Sequence, residues 1–490
     1  MYLLGIDLGT SGVKVVLVGA TQNIIDQETV PLTVSRPQPL WSEQDPQDWI
    51  IATHLAMKEL KKRQPNSMQG VKAIGLSGQM HGAVLLGRGD QVLRPAILWN
   101  DGRSGQECIE LERRAPKSRS ITGNIAMPGF TAPKLVWVAK HEPEIFKQVE
   151  KVLLPKDYLR LYLTGEFASE MSDAAGTLWL DVGRRAWSDE MIQATGLKNS
   201  AMPKLYEGTE ATGTLKNEIA SDWGLSAGVV VAGGAGDNAA GAVGMGVVLP
   251  GEAFLSLGTS GVYFVSSSEY SANPEGAVHT FCHCIPGLWH QMSVILSAAS
   301  CLSWAVQATG AENEIVLLAE AEACGPEQDV PIFLPYLSGE RTPHNNPLAK
   351  GVFFGMTHGT TRGALARAVL EGVAFAFADG QNALMDAHAK INQVSVIGGG
   401  ARSPLWGRIL ASALSRPLTY RQGGELGPAF GAARLARLSI TGENPADVCV
   451  APPIDHVVEP NADWAGIYAR KMTTYRSLYR DLQPHFAAKI

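Results

Sequence analysis

A six-residue string, LGTSGV, occurs twice in this chain, at 8–13 and at 257–262, identical at every position. The first copy begins at Leu8 and the second at Leu257, an offset of roughly half the 490 residues. Each copy lies between strand-like runs: YLLGID before and VKVVLV after the first, AFLS before and YFV after the second. Each therefore predicts a β-hairpin turning on Gly-Thr-Ser-Gly. Two halves that open alike predict two similarly folded domains with a cleft between them, the alternative being a chance repeat in a glycine-rich chain. Such interfaces are where small-ligand sites prefer to lie.

The segments between the copies mix both kinds of secondary structure. Asp45-Pro46-Gln47-Asp48 is a helix start, with a capping acid and proline at the first helical position. Trp49, Ala52, Ala56 and Leu60 follow at helical spacing. Residues 71–77 and 394–397 read as strands; Gly398-Gly399-Gly400 follows the second, and Ser403-Pro404 opens another helix. Alternating strands and helices predict an α/β fold. The run GMGVVLPGE near 245–252 carries a turn signal. It divides the chain into domains 1–247 and 248–440, with 441–490 expected as a peripheral helical extension.

Composition narrows the function. Hydrophobic residues make up 45% and charged residues 18%, which suits a large buried core and not a disordered chain. A net charge of −6 leaves no basic footprint for nucleic acid. The start MYLLGIDLGT has no basic region and meets Asp7 at once, and the glycine-broken stretch at 224–251 is no membrane span. Six scattered cysteines fit a reducing compartment. The expectation is a cytoplasmic enzyme with no nucleic-acid or membrane partner.

Two hairpin turns built from small residues can aim backbone N–H groups at phosphate. Thr10, Ser11, Gly258, Thr259 and Ser260 are the candidate positions. Neither copy is a G-x-x-x-x-G-K-[ST] loop, and no G-x-G-x-x-G follows the first strand. Asp7 ends the first strand and could hold Mg²⁺ through water, or could merely stabilise the turn; the second copy has Ser256 there. Gly399, Gly400 and Ala401 lie between a strand and a helix start, a seat for a nucleotide. GPAFGAA at 427–433 allows close approach of either a nucleotide or a neighbouring helix.

Asp237 and Asn238 interrupt an apolar run, GGAGDNAAGAVG at 233–244. A carboxylate in such surroundings is either paired or at work. Asp237 could be a general base, or the N-cap of the helix that follows. Gln79 and His81 in SGQMHG, and Asn100, Asp101 and Arg103 in WNDGR, are groups of the kind that grip sugar hydroxyls; His81 could equally be structural. His279, Cys282, His283, Cys284 and His290 do not match zinc-ligand spacing and are expected to pack along a strand.

Two longer motifs carry a resemblance. GFTAPKLVWVAKH at 129–141 and GVFFGMTHGTTRGALARAVLE at 351–371 are similar to the two signatures of the FGGY carbohydrate kinases, within the actin-like, ribonuclease-H-like ATPases. Ala364 stands where the second pattern wants a polar or acidic residue, which is expected to weaken a local helix contact. The runs PLWSEQDP (39–46), SGQMHG (77–82), ILWNDGR (97–103), SDAAGT (172–177) and PYLSGERTPHNNP (335–347) resemble the members that act on D-xylulose. The resemblance implies two duplicated ribonuclease-H-like domains around a cleft, with ATP and Mg²⁺ as cofactors and a small sugar as partner. It implies Asp237 as catalytic base and Asp7 beside Mg²⁺ and the γ-phosphate. It also implies Met80, His81 and Asn238 at the sugar, and Thr259 with 399–401 at the nucleotide. The expected reaction is phosphorylation of D-xylulose at its 5-hydroxyl. Kinases of another ketose or polyol, and an actin- or chaperone-like ATPase, are the alternatives. A homodimer is a possibility that no motif decides.

Overall fold

The computed structural model describes residues 1–328, 330–422 and 427–487. Each LGTSGV copy is the turn of an antiparallel hairpin. The first joins strands Tyr2–Leu8 and Gly12–Gly19, with Leu8 opposite Val13. The second joins Glu252–Leu257 and Gly261–Ser267, with Leu257 opposite Gly261. On its other side each leading strand has a parallel neighbour, Val71–Gly78 in the first half and Gln393–Ile397 in the second. Each hairpin belongs to a mixed sheet of seven strands. These strands read as near-continuous apolar runs because elements pack on both sheet faces. Leu4, Ile6 and Leu8 are buried in one cluster, Leu3, Val16 and Val18 in another.

One face of the first sheet is covered by helix Pro46–Arg63. Asp45 caps it, accepting from Gln47 N at 2.9 Å, and Trp49, Ala52, Ala56 and Leu60 are buried beneath it. The opposite face is covered by helix Pro428–Thr441, from the far end of the chain. The approach is so close that a Cβ on Gly5 would sit 1.8 Å from Ala429 O, and one on Gly75 equally close to Ala432 O. A Cβ on Gly431 would meet Ala240 O of helix Asp237–Met245 at 1.8 Å. The small residues of GPAFGAA therefore serve backbone-to-backbone packing, and glycine is required at these contacts. The two halves are interleaved: a helix of the second seals the sheet of the first.

The tail departs from expectation. Strand Ile454–Val458 pairs antiparallel with Leu418–Arg421 and forms the edge of the second sheet. Helix Ala462–Leu482 then buries Tyr468, Met472, Tyr475 and Tyr479 in the core of that half. The tail is a structural part of the second sheet and its core, not a peripheral helical extension. An edge strand that is mostly exposed has no alternating apolar pattern, so its sequence carries no strand signal.

Helix Arg362–Asp386 contains the C-terminal part of the second signature, from Arg362 to Glu371. Thr361 caps it by accepting from Ala364 N at 3.1 Å. A glutamate at position 364 would complete a reciprocal capping box. The alanine forgoes that second bond but keeps the Thr361 cap and is itself buried.

Candidate active site

Strand register brings three distant segments to one end of the first sheet. Ser77 lies opposite Asp7 on one side and Ala235 on the other; Gly78 lies opposite Leu8 and Gly236. The loop 9–11, Gln79 and Asp237 therefore emerge side by side at the carboxyl ends of parallel strands, where open α/β sheets hold ligands. The second sheet repeats the arrangement, with Ser256 opposite Ile397, so loop 258–260 lies beside the 398–400 turn.

Asp237 is the first residue of helix Asp237–Met245, and Gly236 occupies the N-cap. The capping explanation for Asp237 is thereby removed. One of its oxygens, Oδ1, accepts from Asn238 N at 2.7 Å and from Asn238 Nδ2 at 2.9 Å. Asp7 Oδ1 accepts from Ser77 Oγ at 2.9 Å. Burial raises Asp7 to about 6; burial and then the Asp7 charge raise Asp237 to about 7. Lys14 offsets part of the rise at Asp7, whereas no cation among the described residues relieves Asp237. Two half-buried carboxylates in mutual repulsion, beside the small-residue turn 9–11, form a setting that a divalent cation with bound phosphate would neutralise.

Behind Asp237 lies a charged cluster wholly out of solvent. Lys156 Nζ sits 2.9 Å from Asp157, 3.0 Å from Asp173 and 3.4 Å from Glu170. Arg160 of the same cluster donates to Gly233 O at 2.6 Å. Glu170 accepts from Ser172 Oγ, which in turn accepts from Gly236 N at 3.1 Å. Gly236 N is thus held by the neutral Ser172 hydroxyl and Gly233 O by the Arg160 guanidinium, a charge-assisted bond. Charge-assisted bonds of this kind hold a backbone more firmly than neutral ones.

His81 adopts a left-handed conformation, φ 68°. Its Nδ1 lies 2.7 Å from Gly176 O. Burial pushes the ring down to about 3, so it is neutral. Nδ1–H then donates to the carbonyl, and Nε2 is left as an acceptor suited to a hydroxyl. The first signature has a physical role here. In helix Thr131–His141, Lys134 is fully buried and donates to His81 O and Gly129 O, each at 2.8 Å, while Thr131 Oγ1 donates to His81 O at 3.1 Å. The strained residue is held by its own carbonyl. Met80 packs against Gly236, where a Cβ would fall 2.9 Å from its sulfur.

Other expected sugar ligands face elsewhere. Asp101 is buried; it accepts from Ser42 N at 2.6 Å and is gripped bidentately by Arg103, whose guanidinium lies 3.6 Å from the Trp41 ring centre. Gln79 is buried too, donating to Gln44 Oε1 and accepting from Thr10 Oγ1, both at 2.9 Å. Both already carry hydrogen bonds within the protein, by which they shape the site. Asn100 is exposed, next to the half-exposed Trp99. Trp99 Nε1 donates to Thr10 Oγ1 at 2.9 Å, so the Thr10 hydroxyl is also occupied. Ser11, Thr259 and Ser260 are exposed at the hairpin tips.

On the second half, Gly398 has φ 96°, and a Cβ there would meet Leu257 O at 2.7 Å. Only glycine fits this turn. Gly400 similarly packs on Leu257, at 2.6 Å for a Cβ. A cavity of about 780 Å³ opens beside the turn, lined by Gly398, Gly399, Ala401, Arg408 and the stacked pair Tyr420–His456. Ser403 caps helix Pro404–Leu414 at its rim.

Trp99, Ser77 and Ser172 were not distinguishable in the sequence as contributors. Each acts through a cross-strand or cross-loop partner about 60 or more residues away, which no local pattern encodes.

The comparisons with known proteins agree with this geometry. Residues 2–244 match the N-terminal domain of the FGGY family of carbohydrate kinases, and residues 253–440 match its C-terminal domain. A xylulose kinase of Escherichia coli (strain K12) is 56% identical over 488 residues, covering 99% of this chain and 100% of the relative. A xylulose kinase of Lactococcus lactis is 38% identical over 89% of this chain and 87% of its own length. The crystal structure of a xyloylose kinase from Brucella ovis superposes with a TM-score of 0.96 at 51% identity, covering 99% of this chain and 100% of that one. With both family domains matched in order across most of its length, the chain belongs to the FGGY family of carbohydrate kinases.

Proposed function

We propose that this enzyme transfers the γ-phosphoryl group of ATP to the 5-hydroxyl of D-xylulose, with Asp237 as general base. The observation that carries the base assignment is the setting of Asp237. It opens a helix, its Oδ1 is engaged by Asn238, and burial brings it to about 7. A base of that strength is matched to neutral pH. The sugar assignment is supported by the near-full-length identity to a xylulose kinase of Escherichia coli.

In this reading residues 1–247 carry the sugar and 248–440 the nucleotide. His81 Nε2 accepts from a sugar hydroxyl, Met80 and Asn238 flank the sugar, and Asp237 takes the proton as the terminal oxygen attacks phosphorus. Backbone N–H groups of 10–11 and 258–260 face the phosphates, and the 399–401 turn seats the nucleoside. Asp7 would hold Mg²⁺ through water; the ion, when bound, neutralises phosphate charge. Water competes with the sugar as nucleophile, so the two halves close on the sugar before transfer.

The test is ADP release from MgATP with D-xylulose, D-ribulose, L-xylulose, glycerol or no sugar. Rapid release with D-xylulose alone is expected. Rapid release with another polyol moves the substrate; equal release without sugar abolishes Asp237's role as a sugar base. Small-angle scattering with and without D-xylulose checks closure, and superimposable profiles would refute it.

A further inference from the structure

Arg341 comes from the second half of the chain, in the loop after strand Ile332–Leu334, yet it reaches the ring cluster around His81. Its guanidinium Nη1 lies 3.3 Å from His279 Nε2. His279 is edge-on to Phe130 at 5.5 Å between ring centres, and Phe130 is edge-on to His81 at 4.8 Å. Phe281 closes the group, 6.1 Å from both Phe130 and His81.

The hydrogen bonds set the imidazole of His279. Asn124 Nδ2 donates to Thr122 O and Thr280 O at 2.8 and 2.9 Å, so its Oδ1 is the acceptor that meets His279 Nδ1 at 3.2 Å. His279 must then carry its proton on Nδ1 and offer Nε2 to Arg341. Among the described residues this is the guanidinium's one hydrogen-bond partner, and no carboxylate pairs with it within ion-pair distance. The neighbouring Glu340 Oε1 accepts instead from Leu296 N and Arg341 N. A guanidinium has five N–H donors. Among the described residues the remainder have no protein acceptor, at the edge of an aromatic wall; the one charge that acts on the guanidinium is that of Glu340, whose Oε1 is turned to backbone amides.

The Arg341 charge is felt at His81 and His279, where it depresses both rings, and does not figure at Asp7 or Asp237. By its contacts the guanidinium belongs to the ring cluster around His81.

A 2-pentulose whose O5 is free to attack must be open-chain, because closing its five-membered hemiketal consumes O5. Its C2 carbonyl is then exposed and can only accept hydrogen bonds. Building on the substrate reading above, we propose that Arg341 donates to the C2 carbonyl of the open-chain ketose, and that this contact makes the enzyme select ketoses over the corresponding polyols. His279 positions the guanidinium.

The test compares Arg341→Met and Arg341→Lys with wild type on D-xylulose and on xylitol, which has a hydroxyl in place of the C2 carbonyl. In Arg341→Met the KM for D-xylulose is expected to rise by about tenfold or more, with the KM for MgATP changed by less than about twofold. The preference for D-xylulose over xylitol should collapse, and Arg341→Lys should restore part of it. If Arg341→Met does not fold, Arg341→Lys alone decides by its preference ratio, which is expected to fall below wild type. An unchanged KM, or equal losses on ketose and polyol, overturns the assignment while the wild-type activity stands. A wild type inactive on D-xylulose overturns the substrate reading instead, and this inference with it.

Discussion

The two LGTSGV hairpins have the same six residues but turn in different registers, Leu8 opposite Val13 in the first and Leu257 opposite Gly261 in the second, and they have different neighbours. In the first, the Thr10 hydroxyl donates to Gln79 and accepts from Trp99, and Asp7 sits one residue before the repeat. In the second, Thr259 is exposed; its carbonyl accepts from Ala298 N at 2.9 Å and Ser300 Oγ at 2.8 Å, and Ser256 replaces Asp7. The parallel neighbour of the first hairpin leads into Gln79, Met80 and His81; that of the second leads into three glycines. The same six residues therefore turn in two different ways, and the surroundings of each copy come from the loop beside it. A repeated motif identifies a turn of small residues; in the proposed reading its surroundings decide whether that turn serves sugar and metal or nucleotide.

Removing the chemistry unique to the first half should do the greatest damage. Asp237→Ala is expected to lower kcat by roughly 10²- to 10⁴-fold with nucleotide affinity little changed. Stopped-flow and nucleotide titration check this, and a variant with more than about a tenth of wild-type turnover contradicts the base assignment. On the second half the sharpest perturbation is Gly398→Ala. A methyl group there meets Leu257 O and a left-handed backbone, a strain of about 1–3 kcal/mol. The expected result is a raised KM for MgATP and an unaltered KM for the sugar; the opposite pattern would exchange the roles of the two halves.

The pH dependence tests the pair of carboxylates. A base must be unprotonated, and Asp237 lies near 7 because burial and the Asp7 charge disfavour its anion. In the free enzyme kcat/KM should therefore be full above that pH and fall as pH drops through it. A flat profile down to pH about 5 would mean that another group sets the protonation state. The smallest effect is expected from the matched pair Thr10→Ser and Thr259→Ser. Both keep a hydroxyl, so neither should change kcat by more than about twofold. A large loss at Thr259 alone would show that the second turn depends on its methyl packing.

Stability separates the halves further. Lys134→Met removes the buried donor from Gly129 O and leaves His81 O with the Thr131 hydroxyl alone, a cost of about 1–3 kcal/mol by chemical denaturation. The sugar KM should rise with it, since His81 loses part of the clamp on its strained conformation.

Much of this molecule was readable before any coordinates. Asp45-Pro46 and Ser403-Pro404 announced their helices because capping is local chemistry. The repeat, the strands flanking it and the isolated Asp237 pointed to a two-half enzyme with a cleft. The candidate sugar ligands were less legible. Asp101 and Gln79 have the right chemistry but face inward, because Arg103 and Gln44 reached them first. GPAFGAA kept two readings open until its helix was seen pressed on Gly5 and Gly75.

The sequence by itself determined what is set within a few residues: hairpin turns, helix caps, strand runs, and the rarity of a carboxylate in an apolar segment. Only the tertiary structure decided which side of a polar residue was free, that a helix of the second half seals the sheet of the first, and that the tail supplies an edge strand. It alone brought Arg341 to the ring cluster around His81. The reason is physical. Local signals depend on backbone geometry that each residue experiences in its own segment. The availability of a donor or acceptor depends on which distant partner has already taken it, and that is fixed only when the sheets and helices pack.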